Sequence, residues 1–403
     1  MALKVLQLCN KAPFPANDGS SIAIYNMARG LLQNGVQLRL ITINTKKNFK
    51  PDEGVPLKFK EATCYTSVYH NTNVSLMGAV GNLFSNASYF VSRFFFRRFT
   101  NALTDILKAE KYDIVLLEGL FMAVYLPVIR KHSGAKVVLR AHNIEHVIWT
   151  RHIAQERSAV KRWYLTIQNK RLKKFELQVF NSVDAIIPIT KTDEKKIMEL
   201  GCDKPLFTCI TGIMPIEYAD LGKTPQKKNT VFYFGSMDWL PNQEAVTWFL
   251  NNCWSEVQKA VPDARFVIAG RGMPLHFFHI NLPGVVIMEE VEEPITFYHQ
   301  HQVMVVPLWS GSGLRIKIVE GMACGKAIVS TSIGAEGINC QNGNDILIAD
   351  DAADFIKKVV LLLTNEERRL QLSQQARLFA AKEFDNTLIV ERLVDFFKKG
   401  LHV

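Results

Sequence analysis

A glycine-rich turn, two basic residues and one carboxylate follow each other within residues 306–338, VPLWSGSGLRIKIVEGMACGKAIVSTSIGAEGI. The order predicts a buried strand, a turn, a helix opened by Arg315 and Lys317, and a second strand. A turn that runs into a helix offers unpaired backbone N–H groups and the positive end of the helix dipole. Arg315 and Lys317 add full positive charge there, and Glu320 follows within two turns. Such a set suits a diphosphate held by amides and cations, with a carboxylate for the hydroxyls of a ribose. By itself a glycine turn between strand and helix is ordinary in α/β proteins; the spaced charges are what sharpen the reading.

The elements that must position these residues alternate along nearly the whole chain. Strands are expected at 5–8, 36–43, 114–117, 137–139 and 185–188, and again at 230–234, 265–268, 285–288, 303–306, 327–330 and 346–348. Helical patterns and glycine turns separate them. Short apolar strands divided by helices indicate a parallel, doubly wound sheet. At 403 residues the chain exceeds one core and suits two domains. The polar run GKTPQKKN at 222–229 reads as the linker. Ligand is then expected where the C-terminal strand ends face each other across a cleft.

Charge narrows the partners only partly. A net charge of +10 attracts phosphates, anionic lipid or nucleic acid. No nucleic-acid module with stacking aromatics is present, so nucleic acid is not expected. Residues 88–100, SYFVSRFFFRRFT, combine aromatics with Arg93, Arg97 and Arg98 and suggest a helix lying on an anionic membrane, with a core-facing helix carrying a basic outer side as the alternative. Residues 162–176 form a second basic helix, read as a solvated face. The opening MALKVLQLC reads as a first strand rather than a signal peptide. The seven cysteines include no C-x-x-C pair, so neither a disulfide framework nor a zinc site is indicated, and a cytoplasmic setting follows.

Several ordered segments carry a family likeness over almost the full length. They are RAHNIEH at 140–146, GSMDWLPNQEAVTWF at 235–249, FVIAGRG at 266–272, and SGSGLRIKIVEGMACGKAIVST. The chain resembles retaining glycosyltransferases of the GT-B fold, family four (glycosyl transferases group 1), of the bacterial polysaccharide and lipopolysaccharide type. The resemblance implies an α/β protein with two Rossmann-like domains. Residues 1–205 would bind acceptor, 206–384 would bind a nucleotide-sugar donor, and the helix from 386 to 403 would pack back on the first domain. It implies that Glu320 holds the donor ribose, and that amides near Ser312, Gly313 and Leu314 hold the diphosphate with Arg315 and Lys317. Gly19 would pass near the diphosphate and acceptor, and His142 would sit near the transferred sugar.

Two departures stand out. The family has two glutamates separated by seven residues; Glu320 fits the second, and the first falls on Ser312. The family also often carries Arg and Lys in the turn after the second domain's first strand, where this chain has GSMDWLPN. Neutralisation must then rest on Arg315, Lys317 and the helix dipole, with Arg271 a further candidate. No acidic pair sits in a convincing metal-binding turn, and Asp350-Asp351 reads as a helix N-cap. The expectation is a metal-independent transferase that uses a nucleotide-sugar co-substrate, no cofactor, and a glycan or lipid-linked acceptor, with peripheral contact at the inner membrane face. Rival readings are an epimerase or phosphorylase on the same scaffold, or a catalytically degenerate binding subunit.

Overall fold

The computed structural model describes residues 2–16, 19–45, 54–72, 75–219, 224–310 and 314–403. The chain divides into two compact units, Met1–Gly212 with Asn386–Val403, and Ile213–Asp385. The polar run at 222–229 lies inside the second unit, with 222 and 223 outside the described residues.

Among the described residues of the first unit, six parallel strands form one sheet. They are β1 (Lys4–Cys9), β2 (Gln37–Thr45), β3 (Thr66–His70), β4 (Ile114–Glu118), β5 (Lys136–Ala141) and β6 (Ala185–Pro188), in the order β3-β2-β1-β4-β5-β6. Alternate residues of β1 serve opposite faces. Leu6 and Leu8 join a core with Phe99, Leu117 and Phe180, while Val5 and Cys9 join one with Ile24, Leu31 and Val390. Burial on both faces explains why these strands read as unbroken apolar runs. The strand absent from the expectations, β3, is at the sheet edge, only partly buried and polar in composition.

The helix Asn386–Asp395 packs on the helix Gly19–Gln33. A Cβ on Gly30 would meet Val390 Cγ2 at 2.4 Å, so glycine is what lets the two approach. Asn386 and Asn26 lock the contact: Asn386 Nδ2 donates to Asn26 O at 2.6 Å, and Asn26 Nδ2 donates to Gly212 O at 2.7 Å.

The second unit repeats the architecture with β7 (Thr230–Phe234), β8 (Arg265–Ala269), β9 (Val285–Met288), β10 (Val303–Val306), β11 (Ala327–Ser330) and β12 (Leu347–Ile348). All pairings are parallel, in the order β12-β11-β10-β7-β8-β9. The chain winds outward from β7 through β8 to β9, then crosses back to β10. Neighbours β7 and β10 therefore mark the point where winding reverses, the place at which open α/β sheets bind ligands. In the first unit β1 and β4 stand in the same relation.

Residues 88–100 do not form the single surface helix expected from sequence. They give a short helix Tyr89–Ser92, a turn, and the start of the helix Arg97–Ala109. Phe90, Val91, Phe94 and Phe99 are buried in the core, which leaves Phe95, Arg97 and Arg98 outside. Phe90, Phe94 and Phe99 fill the space beneath the sheet. Asp351 does cap a helix, accepting from the Asp354 amide at 2.9 Å.

Candidate functional site

In the second unit, the helix Ile316–Ala323 starts beyond the C-terminal end of β10. Its buried side carries Ile318, Val319 and Met322. A Cβ on Gly321 would meet Met304 Sδ at 2.6 Å, so glycine lets this helix lie close on β10. Gly325, at φ +63°, follows its end in a conformation that favours glycine. With the helix so seated, Arg315 is its N-cap and Lys317 and Glu320 lie on its open side.

Lys317 reaches from this helix to the neighbouring strand end. Its ammonium donates to Tyr233 Oη and to Asn242 Oδ1, each at 2.9 Å, and lies 4.5 Å from the centre of the Tyr233 ring. Tyr233 Oη also donates to Asn242 Oδ1 at 2.6 Å, and Asn242 Nδ2 donates to Ser236 O at 2.7 Å. A Cβ on Gly235 would come within 2.4 Å of the ammonium. The cation therefore stands over the turn that follows β7, where the sequence itself has no basic residue. Gly270, at φ +151°, presses on the same turn: a Cβ there would fall 1.8 Å from Gly235 O.

Electrostatics match this geometry. Burial drives the Lys317 ammonium down to about 7; the Arg315 charge adds to the effect and Glu320 opposes it. Burial pushes the Glu320 carboxyl up to about 7, against a hydrogen bond from Tyr218 Oη at 3.2 Å and the charge of Lys317. Arg315 is buried, its guanidinium 5.7 Å from the centre of the Trp239 ring, and burial lowers its pKa. Two cations close together and partly withdrawn from water carry a desolvation cost. An anion such as a diphosphate would relieve that cost.

A second polar cluster lies in the first unit at the ends of β1, β4 and β5. Glu118, fully buried, ends β4. Its Oε1 accepts from Gln7 Nε2 at 2.7 Å, and its Oε2 pairs with His142 Nε2 at 2.6 Å and Arg140 Nη1 at 3.3 Å. Burial alone would raise this carboxyl. The Arg140 charge and the hydrogen bonds from His142 and Gln7 outweigh it and hold the group below its ordinary value. Arg140 is anchored in turn by donating to Ala23 O at 2.8 Å. Nearby, Glu176 caps the helix Glu145–Gln155, accepting from the amides of Glu145 at 2.8 Å and His146 at 3.1 Å. Burial, with Glu176 close by, raises the Glu145 carboxyl to about 7.

Of the residues singled out from sequence, Arg315, Lys317 and Glu320 come together on one helix, with Leu314 just before it. Ser312 and Gly313 lie outside the described residues. His142 belongs to the first unit, with its Nε2 on Glu118. Gly19 opens the helix Gly19–Gln33 with open space where a Cβ would be. Arg271 reaches the turn that follows β7, donating from Nε to Ser236 Oγ at 3.0 Å. Sequence reasoning missed Tyr233, Asn242, Tyr218, Glu118, Arg140 and Gln7. A signal was available for three of them. Gln7, Glu118 and Arg140 interrupt otherwise apolar strands, and charge or amide inside a buried strand demands partners. Among the described residues no group of three His, Cys, Asp or Glu is placed to hold a metal ion.

Comparison with known proteins adds independent observations. Residues 17–212 match the family described as Glycosyltransferase Family 4, and residues 228–365 match Glycosyl transferases group 1. A protein of Klebsiella pneumoniae, described as an uncharacterized 44.6 kDa protein in the cps region, is 24% identical over 400 residues. The match covers 95% of this chain and 97% of that protein. The crystal structure of Anabaena HepE in complex with UDP has a TM-score of 0.67 at 11% identity, covering 98% of this chain and 100% of that one. Sucrose-phosphate synthase from Thermosynechococcus elongatus has a TM-score of 0.70 at 13% identity, covering 99% of each chain. At such low identity the two structures speak for the fold alone.

Proposed function

The chain belongs to the family-four glycosyltransferases, glycosyl transferases group 1, with the GT-B fold, and from that membership we propose that it transfers a sugar from a nucleoside diphosphate sugar to a glycan or lipid-linked acceptor, with retention of configuration and without a metal ion. The observation that carries this reading is the Lys317 ammonium, supplied from the helix Ile316–Ala323 and standing over the Gly235 turn. It takes the place of the basic pair that the family often has in that turn. With Arg315 beside it, it would neutralise the departing diphosphate, and Glu320 would hold the ribose hydroxyls. In many enzymes, charge fixed where charge develops contributes more to the rate than any other single effect, and these side chains supply it without a metal.

His142 would contact the transferred sugar and Gly19 the diphosphate and acceptor; Ser312, Gly313 and Leu314 would contribute to the diphosphate cradle. Retention would follow from same-face substitution. The acceptor oxygen bonds to the anomeric carbon as the bond to the diphosphate breaks, and the leaving phosphate oxygen takes the acceptor's proton. The first unit would serve the acceptor and the second the donor. A uridine nucleotide is the first candidate, since a protein of the same fold was crystallised with UDP. A role in cell-surface polysaccharide or glycolipid synthesis draws support from the Klebsiella relative, described by its place in a cps region.

A thermal-shift screen against UDP-, GDP-, ADP- and TDP-glucose tests the reading. A ligand bound only by the folded state raises the melting point. One nucleotide sugar should do so, Glu320→Ala should remove the shift, and EDTA should leave turnover unchanged. Absence of any shift, or loss of turnover restored by Mg²⁺, would overturn the corresponding part.

Among the described residues no helix is long and apolar enough to cross a membrane. Peripheral contact with the inner, cytoplasmic face is carried better by a different surface than residues 88–100. Met77, Val80 and Phe84 are exposed at helical spacing. Tyr164 and Arg171 bond to the carbonyls of Ala79, Asn82 and Leu83, so this segment lies along the helix Ala159–Ser182. That helix exposes Val160, Trp163, Lys170 and Lys174. Apolar side chains beside lysines suit an anionic lipid surface. Sedimentation with phosphatidylglycerol vesicles should be lost in Phe84→Ser/Trp163→Ser; equal pelleting of the two proteins would reject this surface.

A further inference from the structure

The carboxylate of Glu118 has no place in the family-based assignment. It is fully buried at the end of β4 and accepts from three side chains on two other strand ends. Gln7 comes from β1, Arg140 from β5, and His142 from just beyond β5. The backbone beside it is also special: Gly119 sits at φ +89°, and its amide donates to Arg140 O at 3.0 Å. A buried carboxylate is costly unless its charge and lone pairs are satisfied. Here Arg140 supplies the charge and Gln7 an amide proton, and the remaining partner is a partly buried imidazole rather than a backbone group.

We propose that Glu118 is a positioning residue for His142: it keeps a proton on Nε2, fixes the plane of the ring, and leaves Nδ1 as the nitrogen offered to substrate. The reasoning is one of donors and acceptors. An ionised carboxylate can only accept hydrogen bonds, so a 2.6 Å contact to Nε2 requires that Nε2 donate. Arg140 keeps Glu118 ionised, and Gln7 Nε2 occupies Oε1, so the carboxylate cannot rotate away without stranding a buried partner. A histidine restrained at one nitrogen has its other nitrogen's direction defined, and in the neutral ring that other nitrogen carries the lone pair. Such restraint matters for a ring that must meet a sugar hydroxyl without a costly rearrangement, because small errors in placement lower rates steeply.

This inference rests on the assignment of His142 to the transferred sugar, and its test separates the two. The first measurement is a long-range proton–nitrogen correlation spectrum of the histidine rings in ¹⁵N-labelled protein, with His142 identified by comparison with His142→Ala. The expected result is a protonated Nε2 in the native protein and a mixture of tautomers in Glu118→Gln. A bare Nε2 in the native protein overturns the proposal, whatever the enzyme does. The second is release of nucleoside diphosphate from the nucleotide sugar that gives the largest thermal shift. Glu118→Gln should lower kcat by about 10- to 100-fold with little change in donor KM, as expected when an interaction made in the transition state is misaligned. The double variant Glu118→Gln/His142→Ala should be no slower than His142→Ala alone, because both changes disable one unit. Additive losses would mean that Glu118 acts independently of His142 and would overturn the proposal. Should Glu118→Gln fail to fold, Gln7→Leu loosens the same carboxylate from its other side and should give a smaller loss with the same non-additivity. If His142→Ala leaves turnover untouched, the sugar-contact reading fails instead, while the spectrum still decides the tautomer.

Discussion

Gly235→Ala is the smallest change that should disable the proposed diphosphate site, because its main clash is with Lys317. The Cβ would sit 2.4 Å from Lys317 Nζ, whereas ordinary contact begins at 3.4 Å. The ammonium must therefore retreat by roughly 1 Å, since repulsion rises steeply inside contact distance. It cannot do so and keep both 2.9 Å bonds, to Tyr233 Oη and Asn242 Oδ1. Asn242 Nδ2, 3.2 Å from the same Cβ, must yield by a few tenths of an ångström as well. The backbone of Gly235 is not in the left-handed region, so alanine adds no conformational strain of its own. Folding stability should change by less than about 1 kcal/mol. Donor binding should suffer more. A hydrogen bond to a charged group contributes about 1.5–3 kcal/mol, and losing its alignment corresponds to about 10- to 100-fold in Kd. The assay is calorimetric titration of UDP-glucose, or of whichever nucleotide sugar the thermal screen selects. Gly235→Ala, Lys317→Met and the double variant complete a cycle. Once Lys317 is gone the alanine loses its main clash and only the slight shift of Asn242 remains, so the double variant should bind much like Lys317→Met. Native affinity in Gly235→Ala, or strictly additive losses, would refute the placement of the cation over this turn.

Three further outcomes follow from the same geometry. Lys317 sits at about 7 against an ordinary 10.5, so between those values the unfolded chain holds a proton that the folded one has lost, and this group's contribution to stability rises with pH. Glu320 sits at about 7 against 4.5, so across that lower window the folded chain holds the extra proton and its contribution falls as pH rises. Near neutrality the pair is least favourable in the unliganded protein. Because a diphosphate selects the charged lysine, UDP-glucose affinity should weaken as pH climbs above 7; Lys317→Met should flatten that slope in calorimetric titrations, and a pH-independent native affinity would contradict the assignment. Gly270→Ala should lower stability by about 2–4 kcal/mol, read as a fall in melting temperature, because the Cβ meets the Gly235 carbonyl at 1.8 Å and the paired strands leave neither backbone free to move. An unchanged melting temperature would show that the turn is looser than the structure has it.

Much of the fold was legible locally. Runs such as KVLQLC, IVLLE and AIIP announce buried parallel strands because both faces of such a strand lie in the core, and each appears as a strand. The edge strand β3, TSVYH, escaped because an edge strand is half-solvated and need not be apolar. The aromatics of 88–100 left a lipid-facing and a core-facing helix both open for a related reason. Period and composition show that a segment is amphipathic, but not whether its apolar side meets a sheet or a lipid.

The sequence by itself determined the alternating architecture and the likeness to its family. It also determined the order of turn, cations and carboxylate that marks the proposed donor site, since all of these are local patterns. Only the tertiary structure decided that Lys317 serves the turn after β7, dozens of residues earlier, and that Gln7, Arg140 and His142 converge on Glu118. The physical reason is the winding of the two sheets. The strand order brings β7 beside β10 and β1 beside β4, and which strand ends become neighbours is set by crossovers that no local pattern of residues records.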